Sequence, residues 1–226
     1  MRDSDAVVFV VDDDPSVRKA LGRLLRAAGF RAEAFATADE FLRRPAPEAP
    51  ACVILDVQLP GPSGLDLQRA LAERDADLPV VFITGHGDIP MSVRAMKAGA
   101  ADFLPKPVDE EQLLAAVREA VARHALARRA GAEVDDLRRR AAILSPRERE
   151  VLALVVSGLL NKQVGYRLAV TEKTVKAHRA QVMRKMRAAS LAELVGMAAR
   201  IGLTPPPSHP PPEPAAAAAA GPSGPS

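Results

Sequence analysis

Apolar residues fall along the first half of the chain in short continuous runs: VVFVV at 7–11, CVIL at 52–55 and VVFI at 80–83. Runs apolar on both faces, rather than alternating, are the pattern of strands buried between two layers of helices in a parallel sheet. Helical patterns lie between them. Over 15–28, Leu21, Leu24 and Leu25 share one face and Gly29 follows as a stop. Two more helices are predicted over 64–74 and 89–98, the second closed by Gly99. Residues 31–35, RAEAF, alternate and make a weaker second strand. A short strand near 102–104 and a helix over about 109–130 complete five β/α repeats. Regular alternation of this kind predicts an α/β doubly wound domain with a five-stranded parallel sheet.

The pattern then changes. Residues 127–143 are charged and helix-prone, with RR at 128–129 and RRR at 138–140, and read as a helical extension and linker. Residues 144–203 hold only helical patterns, broken near Gly158, Val170 and Ser190. Ser145, Pro146 and Glu148 form a capping box with proline at the first helical position. The helix they start turns Val151, Leu152, Leu154 and Val155 inward and stops at Gly158. A second helix is expected over 161–168, and Thr171 caps a third over about 172–187. A short helix, a tight turn and a longer basic helix make a helix-turn-helix pattern. Residues 204–226 are rich in proline and alanine and are expected to be a disordered tail. There is no internal repeat.

Composition sharpens the division. A chain of 226 residues favours two compact units, and 48% hydrophobic residues suffice to bury a core in each. The single cysteine, Cys52, is expected in the core and excludes an intrachain disulfide, which fits a reducing compartment. No stretch approaches the roughly 20 apolar residues of a membrane span, and the apolar run after the N-terminus is too short for a secretory signal. A cytoplasmic location without membrane contact is therefore expected. Residues 1–126 carry 15 Lys/Arg against 20 Asp/Glu, a net of −5, whereas residues 127–226 carry 16 against 8, a net of +8. A polyanion such as DNA is drawn to the second half and repelled by the first.

Candidate chemistry sits at the strand ends. In doubly wound sheets, sites form beyond the carboxyl ends of the strands where strand order reverses. Strand one ends in Asp12-Asp13-Asp14, strand three in Asp56 and strand four in Thr84-Gly85, and strand five is followed by Lys106-Pro107. In the order 2-1-3-4-5, strands one and three are neighbours, so Asp12, Asp13 and Asp56 crowd together. Three carboxylates in one crevice repel unless a cation neutralises them. Oxygen-only ligands suit Mg²⁺. One carboxylate then serves as nucleophile toward a phosphoryl group, whose oxygens the metal, the Lys106 ammonium and the Thr84 hydroxyl would neutralise. Each residue alone has a plainer reading: Asp14 as the cap of the following helix, Asp56 as a turn residue, Lys106 as a solvated lysine. Their joint occurrence at four strand ends favours the chemical one. His86 is given no role.

The stretches VVDDDPSVR, LDVQLPGPSGLDL, VVFITGHGD and AMKAGAADFLPKP stand in the order and spacing of a known family. Over roughly 5–126 the chain resembles the receiver domain of bacterial two-component response regulators. The resemblance implies that Asp56 accepts phosphate from a sensor histidine kinase. It implies that Asp13, Asp56 and the backbone carbonyl of Gln58 bind Mg²⁺ directly, with Asp12 helping through water. Thr84 would turn toward the phosphoryl group and Phe103 would turn inward with it. The peptide bond before Pro107 would be cis. Phe103 holds a position often occupied by tyrosine, so it has no hydroxyl role.

On the third helix of the second half, Val175, Val182 and Met186 share one side, with His178 nearby. The other side shows Lys173, Lys176, Ala177, Ala180, Gln181 and Arg184. It combines cations for phosphates with small residues that allow approach to base edges of double-stranded DNA. Residues 144–203 resemble the four-helix LuxR-type output domain through LSPREREVLALVVSG, NKQVGYRLAVTEKTVKAHRAQVMRKM and LAELVGMA. The whole chain resembles the NarL/FixJ class of response regulator, closest to the FixJ branch. By that resemblance Lys176, Ala177 and Ala180 face bases, while Lys173, Thr174 and Arg184 hold phosphates. Gly165 stands where alanine is usual, at a cost of roughly 1 kcal/mol in helix stability. In the last helix Leu194, Val195 and Met197 are candidates for a dimer contact or for ordinary core.

These features lead to a mechanism. Phosphorylation of Asp56 shifts a two-state equilibrium through Thr84 and Phe103, the surface around 89–104 becomes the interface of a homodimer, and two output domains bind paired half-sites. The resemblance leans toward transcription activation, with RNA polymerase as a further partner. Chemistry would be limited to phosphorylation and dephosphorylation of Asp56 itself. Two rivals belong to other classes. A haloacid-dehalogenase-like phosphatase would use Asp12 and Asp14, two residues apart, and would turn over small phosphoesters. An interaction module using its receiver as a phosphate sink would lack DNA affinity.

Overall fold

In the computed structural model, residues 6–74, 77–85 and 89–203 are described. The chain divides into two compact units within this span, with the division between Glu133 and Val134.

The first unit holds a five-stranded parallel sheet in the order β2-β1-β3-β4-β5. The strands are β1 (Val7–Val11), β2 (Arg31–Phe35), β3 (Ala51–Asp56), β4 (Val80–Thr84) and β5 (Asp102–Pro105). Every residue of β1, β3 and β4 is buried. The period of two sorts them: Val7, Phe9 and Val11 enter one apolar cluster, and Val8 and Val10 enter another on the opposite side. The first cluster takes Phe41 from α2 (Ala38–Leu42), Leu67 and Leu71 from α3 (Gly64–Arg74), and Ala95 from α4 (Ile89–Lys97). The second takes Leu21 and Leu25 from α1 (Pro15–Ala27), and Leu113 and Val117 from α5 (Glu110–Ala142). Both sheet faces are thus covered by helices, which explains why the central strands read as unbroken apolar runs.

Two elements extend the sequence reading. The short helix α2 was not anticipated; Thr37 caps it by accepting the Glu40 N–H at 3.2 Å. The helical extension expected over 127–143 is present: residues 127–142 continue α5, which runs unbroken for 33 residues.

The second unit contains α6 (Pro146–Val156), α7 (Asn161–Leu168), α8 (Glu172–Met186) and α9 (Leu191–Arg200). Ser145 and Glu148 form the expected reciprocal capping box at the start of α6. Two small cores hold the unit together. Val151, Val155, Val164 and Val175 make one, and Leu144, Leu152, Val182, Met186 and Leu194 the other. Leu194 is therefore core, and Met197 packs against the same cluster, so both take the core alternative; Val195 remains 38% exposed. The tail at 204–226 and His86 lie outside the described residues. No helix among the described residues is long and apolar enough to cross a membrane.

Candidate functional site

Parallel pairing of β1 with β3 brings their carboxyl ends side by side, with Val11 opposite Leu55. Asp12, Asp13 and Asp56 follow directly, and each offers a carboxylate oxygen within 4.8 Å of the others. Asp12 is fully buried, Asp56 is 6% exposed and Asp13 faces solvent. β5 delivers Lys106 to the same point. Its Nζ lies 2.7 Å from Asp12 Oδ2 and 2.6 Å from Asp56 Oδ2. The Lys106–Pro107 bond is cis. Burial alone would pull the Lys106 pKa down, but hydrogen bonds and charge from Asp12 and Asp56 outweigh it and hold the ammonium above its usual range.

The rest of the crevice fixes these groups. Asp12 Oδ1 accepts the Asp14 N–H at 2.9 Å, and the Asp12 carbonyl accepts Arg18 Nη1 at 2.6 Å. Asp56 Oδ1 accepts the Gln58 N–H at 2.9 Å, which sets the turn carrying the Gln58 carbonyl. Thr84 is buried at the end of β4, and its carbonyl accepts the Lys106 N–H at 2.7 Å. Phe103 is half-buried, with its ring centroid 6.2 Å from that of Phe82. Asp14 serves as the N-cap of α1: its Oδ1 accepts the Ser16 N–H at 2.7 Å, and that bond lowers its pKa.

Two residues of the site carried no role in the sequence reading. Arg18 ties α1 to the backbone of Asp12. Gly64 donates its N–H to the Val57 carbonyl at 3.0 Å, and a Cβ there would lie 2.3 Å from the Asp56 carbonyl oxygen. Gly64 stood inside the stretch LDVQLPGPSGLDL, but a close approach of two backbones leaves no signal beyond the glycine itself.

The oxygen-only donor set fits a hard divalent cation such as Mg²⁺. Asp13 and Asp56 are the direct candidates. Asp12 and Asp56 each hold Lys106 and one backbone N–H, Asp14 for the first and Gln58 for the second. Cys52 takes no part: it is fully buried in β3, and burial pushes its thiol up to about 12.

The second candidate surface is on α8. Val175, Val182 and Met186 are buried, as the period requires, and His178 is half-buried. Lys173, Lys176, Ala177, Ala180, Gln181 and Arg184 are all exposed. Thr174 is half-buried, its N–H donated to the Thr171 cap at 3.1 Å and its hydroxyl 2.9 Å from the same oxygen. Lys176 pairs with Glu172 at 3.2 Å, and Arg184 bonds to Gln181. These are exposed contacts of small value, readily exchanged for phosphates. At Gly165 the structure supplies a reason for glycine: a Cβ would lie 2.9 Å from the Val170 carbonyl oxygen. Glycine lets the turn between α7 and α8 close tightly.

Comparison with known proteins agrees with this division. Residues 8–118 match the family described as "Response regulator receiver domain". Residues 142–198 match "Bacterial regulatory proteins, luxR family". Nodulation protein W of Bradyrhizobium diazoefficiens is 49% identical over 199 residues, 88% of each chain. The transcriptional regulatory protein FixJ of Azorhizobium caulinodans is 45% identical over 198 residues, 88% of this chain and 94% of that one. The solved structure of the response regulator StyR, 47% identical, superposes with a TM-score of 0.78 over 87% of this chain and 99% of that one.

Proposed function

The chain belongs to the response regulators that join a receiver domain to a LuxR-type DNA-binding domain and regulate transcription, and we propose that it does so by taking a phosphoryl group onto Asp56. The observation that carries this reading is the meeting of Asp12, Asp13, Asp56 and Lys106 at three strand ends, with Thr84 at a fourth. The donor is a sensor histidine kinase. A carboxylate oxygen of Asp56 forms the new bond to phosphorus as the bond to the donor's imidazole nitrogen breaks. Mg²⁺, held by Asp13, Asp56 and the Gln58 carbonyl with Asp12 behind them, would neutralise charge on the transferring group. This chain's residues do the rest. The Gln58 N–H orients Asp56, Asp12 holds Lys106 beside it, and the Lys106 ammonium offsets charge on the phosphoryl oxygens. Thr84 turns toward the new group, and Phe103 follows inward against Phe82.

The receiver spans 1–126, the linker 127–143 and the output domain 144–203. The phosphorylated receiver dimerises through the surface around 89–104, where Val93 and Met96 are 44% and 47% exposed. The dimer presents two α8 helices to paired half-sites of double-stranded DNA. Lys176, Ala177 and Ala180 face base edges, Lys173, Thr174 and Arg184 hold phosphates, and Gln181 lies on the same DNA-facing side. Relatives named transcriptional regulatory proteins support a transcription role, which we extend to activation with RNA polymerase as partner.

The test is phosphate uptake from acetyl phosphate with Mg²⁺. The parent chain takes up phosphate and Asp56→Asn does not. Uptake by the variant equal to the parent's overturns the assignment. Turnover of small phosphoesters at many per second would restore the phosphatase reading.

A further inference from the structure

Gln68 lies in the middle of α3, between Leu67 and the turn that carries Leu71, and is only 5% exposed. A buried amide must place both a donor end and an acceptor end. Its Nε2 lies 3.3 Å from the Ala95 carbonyl oxygen and 3.2 Å from that of Ala98. Two carbonyls can be met only by the NH₂ end, so the orientation of the amide is fixed. Its Oε1 is then left buried with no hydrogen-bond partner among the described residues. The side chain makes two long hydrogen bonds and carries an unpaired acceptor, so the tether is weak and easily given up.

What it holds is the C-terminal turn of α4. There Ala100 N–H reaches the Ala95 carbonyl at 3.1 Å and Gly99 N–H the Met96 carbonyl at 3.0 Å, with Gly99 at φ +89°. Ala101 N–H then pairs with the Val80 carbonyl at 2.6 Å and leads into β5. What stands behind Gln68 is the phosphoacceptor loop. One turn earlier, Gly64 rests on the backbone of Asp56 and Val57 with no room for a Cβ. A movement of that backbone therefore displaces the first turn of α3, and Gln68 with it.

We infer that Gln68 is a positioning residue that couples the Asp56 loop to the C-terminal turn of α4, along a path separate from Thr84 and Phe103. The inference rests on the reading of Asp56 as phosphoacceptor. The tether supports the resting arrangement of α4, and phosphorylation releases it. The turn is thus the two-state element that both ends of the path bias.

The experiment uses the full chain with Mg²⁺, beryllofluoride as the probe and amide hydrogen exchange as the readout. The variants are Gln68→Met, which keeps length and apolar packing, and Gln68→Glu, which sets a carboxylate against the two carbonyls. In both, amides at 98–101 exchange faster than in the parent before any beryllofluoride is added, while those of β4 keep their protection. The beryllofluoride midpoint, followed at the amides of Gln58 and Lys106, moves about fivefold lower, the worth of one net hydrogen bond. A merely structural role would lower protection in β4 as well and leave the midpoint in place; that result overturns the inference. Parent-like exchange and an unmoved midpoint in both variants overturn it too. If beryllofluoride fails to move Gln58 and Lys106 in the parent itself, the phosphoacceptor reading falls and the coupling with it. That outcome is told apart because only there is the parent silent.

Discussion

Lys106 is the residue on which the acidic crevice depends when no other cation is near. Its ammonium sits between two buried carboxylates, 2.7 Å from Asp12 and 2.6 Å from Asp56. Removing one partner of a buried ion pair leaves uncompensated charge. Lys106→Met should therefore cost about 3 kcal/mol of stability without Mg²⁺. Added Mg²⁺ should restore more stability to the variant than it gives the parent. Urea unfolding with and without the metal tests this, and an equal gain in both proteins contradicts it. Because the Lys106 pKa is raised in the fold, its contribution is fully present below the free lysine value near 10.5 and is lost only as pH rises through the raised one. Gly64 makes a second case. With the Asp56 carbonyl 2.3 Å from any Cβ, Gly64→Ala must move backbone, at a cost of about 1–3 kcal/mol. A variant as stable as the parent in urea would show that the α3 start can slip freely. At this scale the sequence was half legible. Asp12, Asp13, Asp56, Thr84 and Lys106 were visible because each ends a strand. Gly64, Arg18 and Gln68 were not, because their meaning lies in contacts between elements distant in sequence.

At the scale of elements, regular periods carried most of the reading. β1, β3 and β4 announced themselves as unbroken apolar runs because helices cover both sheet faces. α6 and α8 announced themselves through the caps at Ser145 and Thr171. What escaped was α2, five residues long and with too few turns for a period to develop. Its one signal, Thr37 followed three residues later by Glu40, was short and went unread. The charged segment at 127–143, read as a helical extension and linker, is the continuation of α5 to Ala142. Its surface carries i,i+3 and i,i+4 pairs such as Arg138–Asp135 and Arg140–Asp136, while Leu137 is buried. The ion pair between α6 and α8 yields a pH prediction. Lys185 Nζ lies 2.6 Å from Glu148 Oε2; that bond first, and the Ser145 N–H second, hold the Glu148 pKa below 4.5. A depressed carboxylate stabilises the fold above its unfolded value, and the gain is lost as pH falls through the lowered one. Thermal unfolding between pH 6 and pH 3 should therefore show a loss of stability below about pH 4.5 that is smaller in Glu148→Gln. Identical pH profiles would remove the pair from the account.

For the whole molecule, charge and control divide between the two units. The N-terminal part is acidic and the C-terminal part basic, and the exposed cations of α8 gather on the side away from its core. DNA affinity should fall steeply with salt. Lys173→Ala and Arg184→Ala should each reduce the salt slope by about one and weaken binding to all sequences alike. A change in sequence preference on replacing either would place it at base edges instead. The measurement that tests the central claim most directly is light scattering of the full chain with Mg²⁺, with and without beryllofluoride, beside Asp56→Asn. The account predicts that mass doubles in the parent on adding beryllofluoride and stays monomeric in the variant. Doubling in both, or in neither, would contradict control of assembly by Asp56.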